Sequence, residues 1–408
     1  MGGGAAAAML DQFFPEGVPG YDDAAGVTVR SRLHPEQQPL GLRLGSFVVH
    51  PGLTTGLGYD SNVLGGRSAQ GSWVLHNQPS IQFGSDWSRD ALGGFLSADD
   101  QHFLDQPAQS RTDGTLLLGG ALDIGRDRLS LGFAHVAQHE DRNRIDALPS
   151  DRPISFALDD ARLNYAAVIG RWTLTPAAEV SRWRYDATTV RGLPASQAYR
   201  DRDVIQGSTT ARYELAPLRS LLLVARVTGQ NYPDTLPGQP SQNSTGYQIL
   251  GGLDYDDSLW RYRVLVGGEV RQFASFPTRS ALIAESEITW TPSGLTTVRG
   301  AIGRSIEDAS QPGISGFTFT TGRLTIDHEY LRDLTLNASV GVQHADYLQG
   351  GSQSGASAGL GATWFINRNV HVSATYDRWM YGAGTGGGLT TVQPSTRNLA
   401  LVLLHLGL

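Results

Sequence analysis

The chain has 408 residues, 40 % of them hydrophobic, a formal net charge of −7, 32 basic residues that are all arginine, and no cysteine. Without thiols, neither a disulfide framework nor a thiolate metal site is possible; the acidic balance, with no basic run, argues against nucleic acid as a partner. No window approaches ~18 uninterrupted apolar residues, so a transmembrane helix is excluded, whereas a membrane barrel, apolar on one face of each strand, is not.

Residues 1–43 form the first unit. Met1 to Met9 reads MGGGAAAAM, a run of small residues that resembles the end of a signal peptide. From 10 to 43 the chain contains Pro and Asp and keeps no periodicity, which predicts an irregular extension, periplasmic or luminal. Phe13, Phe14 and Tyr21 are its candidate docking residues, on the lumen or on a periplasmic partner.

From Leu44 to Leu408 one rhythm holds. Segments of about 10 to 15 residues alternate in polarity and are joined in turn by a short and a long connection. Short ones carry turn chemistry, as at Ser88-Arg89-Asp90, Gly125-Arg126-Asp127-Arg128, Gly170-Arg171, Asp256-Asp257-Ser258 and Asn367-Arg368-Asn369. Long ones fall near 60–71, 103–112, 141–158, 188–203, 232–246, 308–315, 348–355 and 381–396. The count predicts about eighteen strands.

Successive strand residues point to opposite faces. Trp260, Tyr262, Val264, Val266, Gly268 and Val270 thus oppose Arg261, Arg263, Leu265, Gly267, Glu269 and Arg271. Similar pairs of faces run through 205–215, 282–290 and 334–343. A soluble sandwich alternates too, so the tryptophans carry more weight. Trp87, Trp172, Trp260, Trp290 and Trp364 lie at strand ends beside short turns, and Trp73, Trp183 and Trp379 at the ends beside long loops. Two rows of this kind match the aromatic girdles of membrane barrels, whose short turns are periplasmic and long loops extracellular. The expectation is an all-β fold: a closed antiparallel transmembrane β-barrel over 44–408, in the bacterial outer membrane, with both termini periplasmic. The alternation Ala400, Val402, Leu404, Leu406, Leu408 resembles the last-strand signal read by barrel-assembly machinery, although the terminal residue is not aromatic.

The faces assigned inward hold Arg162, Arg212, Glu214, Arg226, Asp254, Arg261, Arg263, Glu269, Arg271, Glu285, Glu287 and Arg299. In a water-filled lumen such charges either filter solutes or simply solvate and brace the wall. Catalytic constellations are weak, since no G-x-S-x-G occurs. His135 and His139, followed by Glu140 and Asp141, share a strand face where a metal site is conceivable, with loop-edge solvation the plainer alternative. Gly382, Gly384 and Gly387 spell G-x-G-x-x-G without the strand–helix setting that a nucleotide needs. No cofactor and no catalytic residue is predicted.

The stretch Leu42-Arg43-Leu44-Gly45-Ser46-Phe47-Val48-Val49-His50-Pro51, followed by Tyr59-Asp60-Ser61-Asn62-Val63, resembles the start of the Putative beta-barrel porin 2 family. The hairpin Trp290-Thr291-Pro292-Ser293-Gly294-Leu295-Thr296-Thr297 and the segment Gly303-Arg304-Ser305-Ile306-Glu307-Asp308 are similar to it as well. The resemblance covers about 44–408. It implies a proteobacterial outer-membrane barrel, often placed near exopolysaccharide or capsule synthesis, with no catalytic residues to carry over. The expected function is a channel for export of an exopolysaccharide, or else a general diffusion porin. Expected partners are outer-membrane lipid, the assembly machinery, and a polysaccharide or periplasmic export components. The rival classes are an outer-membrane enzyme acting on lipid or glycan and a soluble β-rich adhesion protein.

Overall fold

The structure is a computed structural model that describes Val29 and residues 37–257, 259–384 and 394–408. Its strands in chain order are β1 Leu42–Leu44, β2 Phe47–Asp60, β3 Ser72–Ser85, β4 Ala91–Phe103, β5 Arg111–Ile124, β6 Asp127–His139 and β7 Ser155–Ile169. Next come β8 Trp172–Tyr185, the short β9 Thr188–Val190 and β10 Leu193–Ala195, then β11 Arg202–Ala216, β12 Arg219–Asn231, β13 Ser244–Asp256 and β14 Trp260–Phe273. The last seven are β15 Arg279–Ser293, β16 Thr296–Glu307, β17 Phe317–Leu331, β18 Leu334–Tyr347, β19 Ser352–Asn367, β20 Val370–Tyr381 and β21 Ser395–Gly407.

Each long strand pairs antiparallel with the next, and β2 closes the ring on β21 from Gly52↔Gly407 to Asp60↔Leu399. The result is a closed barrel of 18 strands, β2–β8 and β11–β21. β9 and β10 form a separate small hairpin, and β1 pairs only with β2, below the point where β21 ends. Closure satisfies every strand edge, which a sheet in hydrocarbon requires. Two tight turns need glycine: Gly125 (φ 67°) and Gly170 (φ 62°) both take the left-handed conformation.

Two connections differ from the expected pattern. A short turn at 332–333 and a further connection at 274–278 join strands that the sequence pattern merges or blurs. Each carries a single turn residue, Asp333 and Pro277, in place of the clusters that mark the other connections.

Strands of 12 to 16 residues, rising ~3.3 Å per residue and tilted by roughly 40°, stand about 30–40 Å tall. That exceeds the ~25 Å apolar band of an outer-membrane barrel. The outward face carries large aliphatic side chains around the whole circumference, among them Leu96, Leu131, Leu223, Ile249, Leu282, Val340, Leu360 and Val402, each at least 50 % exposed. A water-soluble monomer does not leave such a continuous apolar belt uncovered. A belt of this kind matches the outward apolar band of a membrane barrel.

Candidate functional site

The inside of the barrel is the face on which cross-strand ion pairs gather. All twelve charged candidates occupy inward positions of their strands. Arg162 meets Asp160 at 2.8 Å and Glu179 at 3.8 Å. Asp254 lies between Arg212, at 3.3 Å, and Arg263, at 3.6 Å. Arg226 spans β13 and β14 to reach Glu285 at 2.9 Å, and also donates to Gln248. Gln248 in turn donates to Glu269 at 3.0 Å. Arg299 meets Asp327 at 3.4 Å, and Arg261 pairs with Asp256 near the periplasmic end. Glu214 and Glu287 are open to the lumen. These charges brace the wall in signed pairs, so the field they set in the bore is a pattern of alternating sign.

At the extracellular mouth two loops fold inward. The loop 140–154, after β6, reaches across to β2 and β21, four and five strands away around the ring. Its Asp141 accepts from Arg397 at 2.7 Å, and the Asn143 amide donates to the Asn62 carbonyl at 2.9 Å. Arg397 also grips the fully buried Asp60 at 2.7 Å. At the root of the loop Arg200 donates to Glu140 at 2.9 Å. Burial opposes ionisation of Glu140, yet Arg144 and Arg200 outweigh it and hold that carboxyl below its usual range.

The second loop, 308–316, meets the first at Asp146. The Ser310 N–H donates to the Asp146 carboxyl, and the Tyr347 hydroxyl donates to it at 3.0 Å. Burial dominates here and pushes the Asp146 pKa up to about 6, although Ser310, Arg144 and Tyr347 favour the ionised form. Arg200 donates to the Ser310 hydroxyl at 3.0 Å and Tyr199 to its carbonyl at 2.8 Å. Ile145, Ala309 and Ile314 then pack with Phe317, Tyr347 and Tyr381 into an apolar cluster inside the mouth. Asp308 turns down to Arg202, at 3.4 Å, and to Arg271. Burial would raise its pKa, but the two guanidiniums hold it low.

One expectation changes. Trp183 and Trp379 do not join an interface girdle, because their positions fall on the inward face. Trp183 is 3 % exposed, stacks on Phe156 at 5.8 Å and carries the Arg202 guanidinium over its ring. Trp379 packs on the mouth cluster beneath Arg397. A position at a strand end does not fix the face; the parity of its neighbours does. Trp73, Trp87, Trp172, Trp260, Trp290 and Trp364 are exposed on the outside. His135 and His139 part company, to Asp159 at 2.7 Å and Asp113 at 2.7 Å. Among the described residues no three His, Cys, Asp or Glu side chains could hold a metal. Gly387 lies outside the described residues, so the glycine motif has no described geometry. The mouth residues Asp60, Glu140, Asp146, Arg200, Ser310 and Arg397 escape sequence reasoning; the run His139-Glu140-Asp141 is their one visible trace.

The Putative beta-barrel porin 2 family model matches residues 34–381. The chain belongs to this family. No curated protein matches it. Among solved structures, OccAB3 of Acinetobacter baumannii is similar over 90 % of this chain and 100 % of its own, at 9 % identity and a TM-score of 0.47. The outer membrane protein opdK of Pseudomonas aeruginosa is similar over 88 % and 98 %, at 11 % identity and a TM-score of 0.46. The FrpB iron transporter of Neisseria meningitidis is similar over 88 % and 81 %, at 8 % identity and a TM-score of 0.45. This member of the porin 2 family is a porin-like channel of the bacterial outer membrane.

Proposed function

We propose that the barrel conducts small hydrophilic solutes across the outer membrane and selects them by size at its extracellular mouth. The observation that carries this reading is the meeting of the loops 140–154 and 308–316 at Asp146 and Ser310. Loops tied to both walls narrow the bore without filling it with a domain. The signed pairs below them favour polar solutes over apolar ones. Export of an exopolysaccharide, which the family resemblance implies, would need both loops displaced for the passage of a polymer.

Swelling of liposomes that contain the purified protein separates the two. Entry of monosaccharides with exclusion of tetrasaccharides and larger sugars is the expected result. Equal entry of sugars of every size would favour an open polymer conduit, and no entry of any sugar would overturn the channel reading.

A further inference from the structure

Below the mouth, one wall of the lumen is nearly free of charge. The inward positions of β18 to β20 carry mostly hydroxyls, glycines and amides. Asp377 is the one Asp, Glu or Arg among the described inward residues of these three strands. Beside them, on β17, Arg323 also faces inward. Asp377 is the inward residue next below Trp379, and Arg323 lies two inward positions below Phe319. Trp379 and Phe319 both pack on the mouth cluster. In the channel reading, on which this inference rests, a solute that clears the mouth on this side meets these two charges first.

Their bonding sets them apart. Each other described arginine on an inward barrel position has an ion-pair or hydrogen-bond partner, as Arg162, Arg226 and Arg299 do. Arg323 is exposed and, among the described residues, has neither. Asp377 is half-buried and likewise accepts no hydrogen bond among the described residues; the cations that bear on it are Arg323 and Arg397. A Cβ at Gly359 would run into the Asp377 carboxylate and stand 2.9 Å from the Ser339 Oγ. Glycine at that position lets the carboxylate lie over β19, on the side of Arg323.

Arg323 and Asp377 thus face each other across a floor of Gly341, Ser339, Ser357 and Gly359. Three strand spacings of ~4.8 Å and two residues of ~3.3 Å put their Cα atoms about 16 Å apart. That is too wide for a direct ion pair, and no side chain larger than serine stands between them. A free guanidinium takes a carboxylate in two parallel hydrogen bonds, and a free carboxylate takes an ammonium. We infer that this floor is a lumen subsite for small zwitterions, amino acids or short peptides, whose carboxylate sits on Arg323 and whose ammonium sits on Asp377. The complex is weak, as passage requires: a conducting site has to release what it binds.

Saturation-transfer NMR on the full chain, purified from outer membranes into deuterated detergent, tests this with glycylglycine as the probe. Arabinose serves as a neutral solute of similar size and propionate as a carboxylate without an ammonium. Heat-modifiability confirms that each variant is folded. Glycylglycine should receive several-fold more saturation than either comparison solute. Arg323→Gln and Asp377→Asn should each weaken its binding roughly tenfold, the loss of one charge-assisted contact. Glu214→Gln, which removes a lumen charge at the periplasmic foot of β11, should change nothing. Equal transfer to all three solutes would overturn the proposal, as would a glycylglycine signal that survives in both variants. Propionate binding as tightly as the dipeptide, and lost only in Arg323→Gln, would make the site one for anions and refute the zwitterion. The readout is binding and needs no passage, so its failure is distinct from failure of sugars to enter liposomes.

Discussion

Arg397→Ala separates what the mouth loop contributes from what the wall contributes. The guanidinium holds Asp60, which is fully buried, and Asp141, whose side chain is 49 % exposed. Loss of the buried partner leaves Asp60 without its countercharge and with the Asn62 N–H at 2.9 Å. Breaking a buried pair costs about 3–5 kcal/mol. The half-exposed contact to Asp141 is worth roughly 1 kcal/mol at most. Only that second share ties down the loop 140–154, which keeps its anchors at Arg200 and Ser310. At 1.4 kcal/mol per factor of ten, the open-to-closed ratio of the loop should rise about 5-fold. Asp141→Asn isolates this share. In planar bilayers, Asp141→Asn should raise mean single-channel current severalfold at an unchanged unfolding temperature, and Arg397→Ala should raise the current and lower that temperature. If Asp141→Asn leaves the current unaltered while Arg397→Ala opens the channel, the loop is not held by this ion pair and the reasoning fails.

Other outcomes follow from single contacts. Because burial raises Asp146 to about 6, its protonated form fits the closed mouth better; the stabilisation is complete below about 4 and lost as pH rises through 6. Conductance should therefore be higher at pH 8 than at pH 5, and Asp146→Asn should flatten that dependence; an unchanged pH profile in the variant would reject the assignment. Trp260 and Trp290 stack at 5.4 Å on the outer face, so single-Trp proteins retaining either should be quenched by brominated lipid, whereas one retaining Trp183 should not. Leu223→Arg, at the centre of the outer face of β12, should cost about 2–4 kcal/mol in urea unfolding from lipid vesicles, and the lumen substitution Thr210→Arg far less. Leu218 holds φ 67° in a two-residue turn, so Leu218→Gly should raise stability by about 1 kcal/mol in the same assay.

The barrel is legible in the sequence because a strand writes its two faces into alternate residues. Val264, Val266 and Val270 against Arg263, Leu265 and Glu269 fix the inside and outside of β14 from the residues alone. The same rule decides the lumen charges, whose parity follows from the aliphatic residues beside them. Trp183 misleads because it sits among Arg182, Arg184 and Tyr185, where local polarity no longer says which face is wet. The mouth is illegible for a different reason. Asp60 with Arg397 and Asp146 with Ser310 are contacts between residues 337 and 164 apart in the chain, and loops have no periodicity to place them. The aliphatic cluster on the inner face of β12 to β15 falls between the two cases. Leu222, Val224, Leu250 and Leu265 stand out as apolar residues on a face that should be polar, a signal visible in sequence once the parity is known.

The closure of the wall is tested most directly at its seam. Leu57 on β2 is paired with Val402 on β21 across the seam and with Leu75 on β3 within the first long hairpin. In outer membranes, Leu57→Cys should form a disulfide with Val402→Cys as readily as with Leu75→Cys, giving a cyclised chain of altered mobility on an unreduced gel. A disulfide to position 75 with none to position 402 would mean that the first and last strands do not meet, and that the chain is not a closed 18-strand barrel.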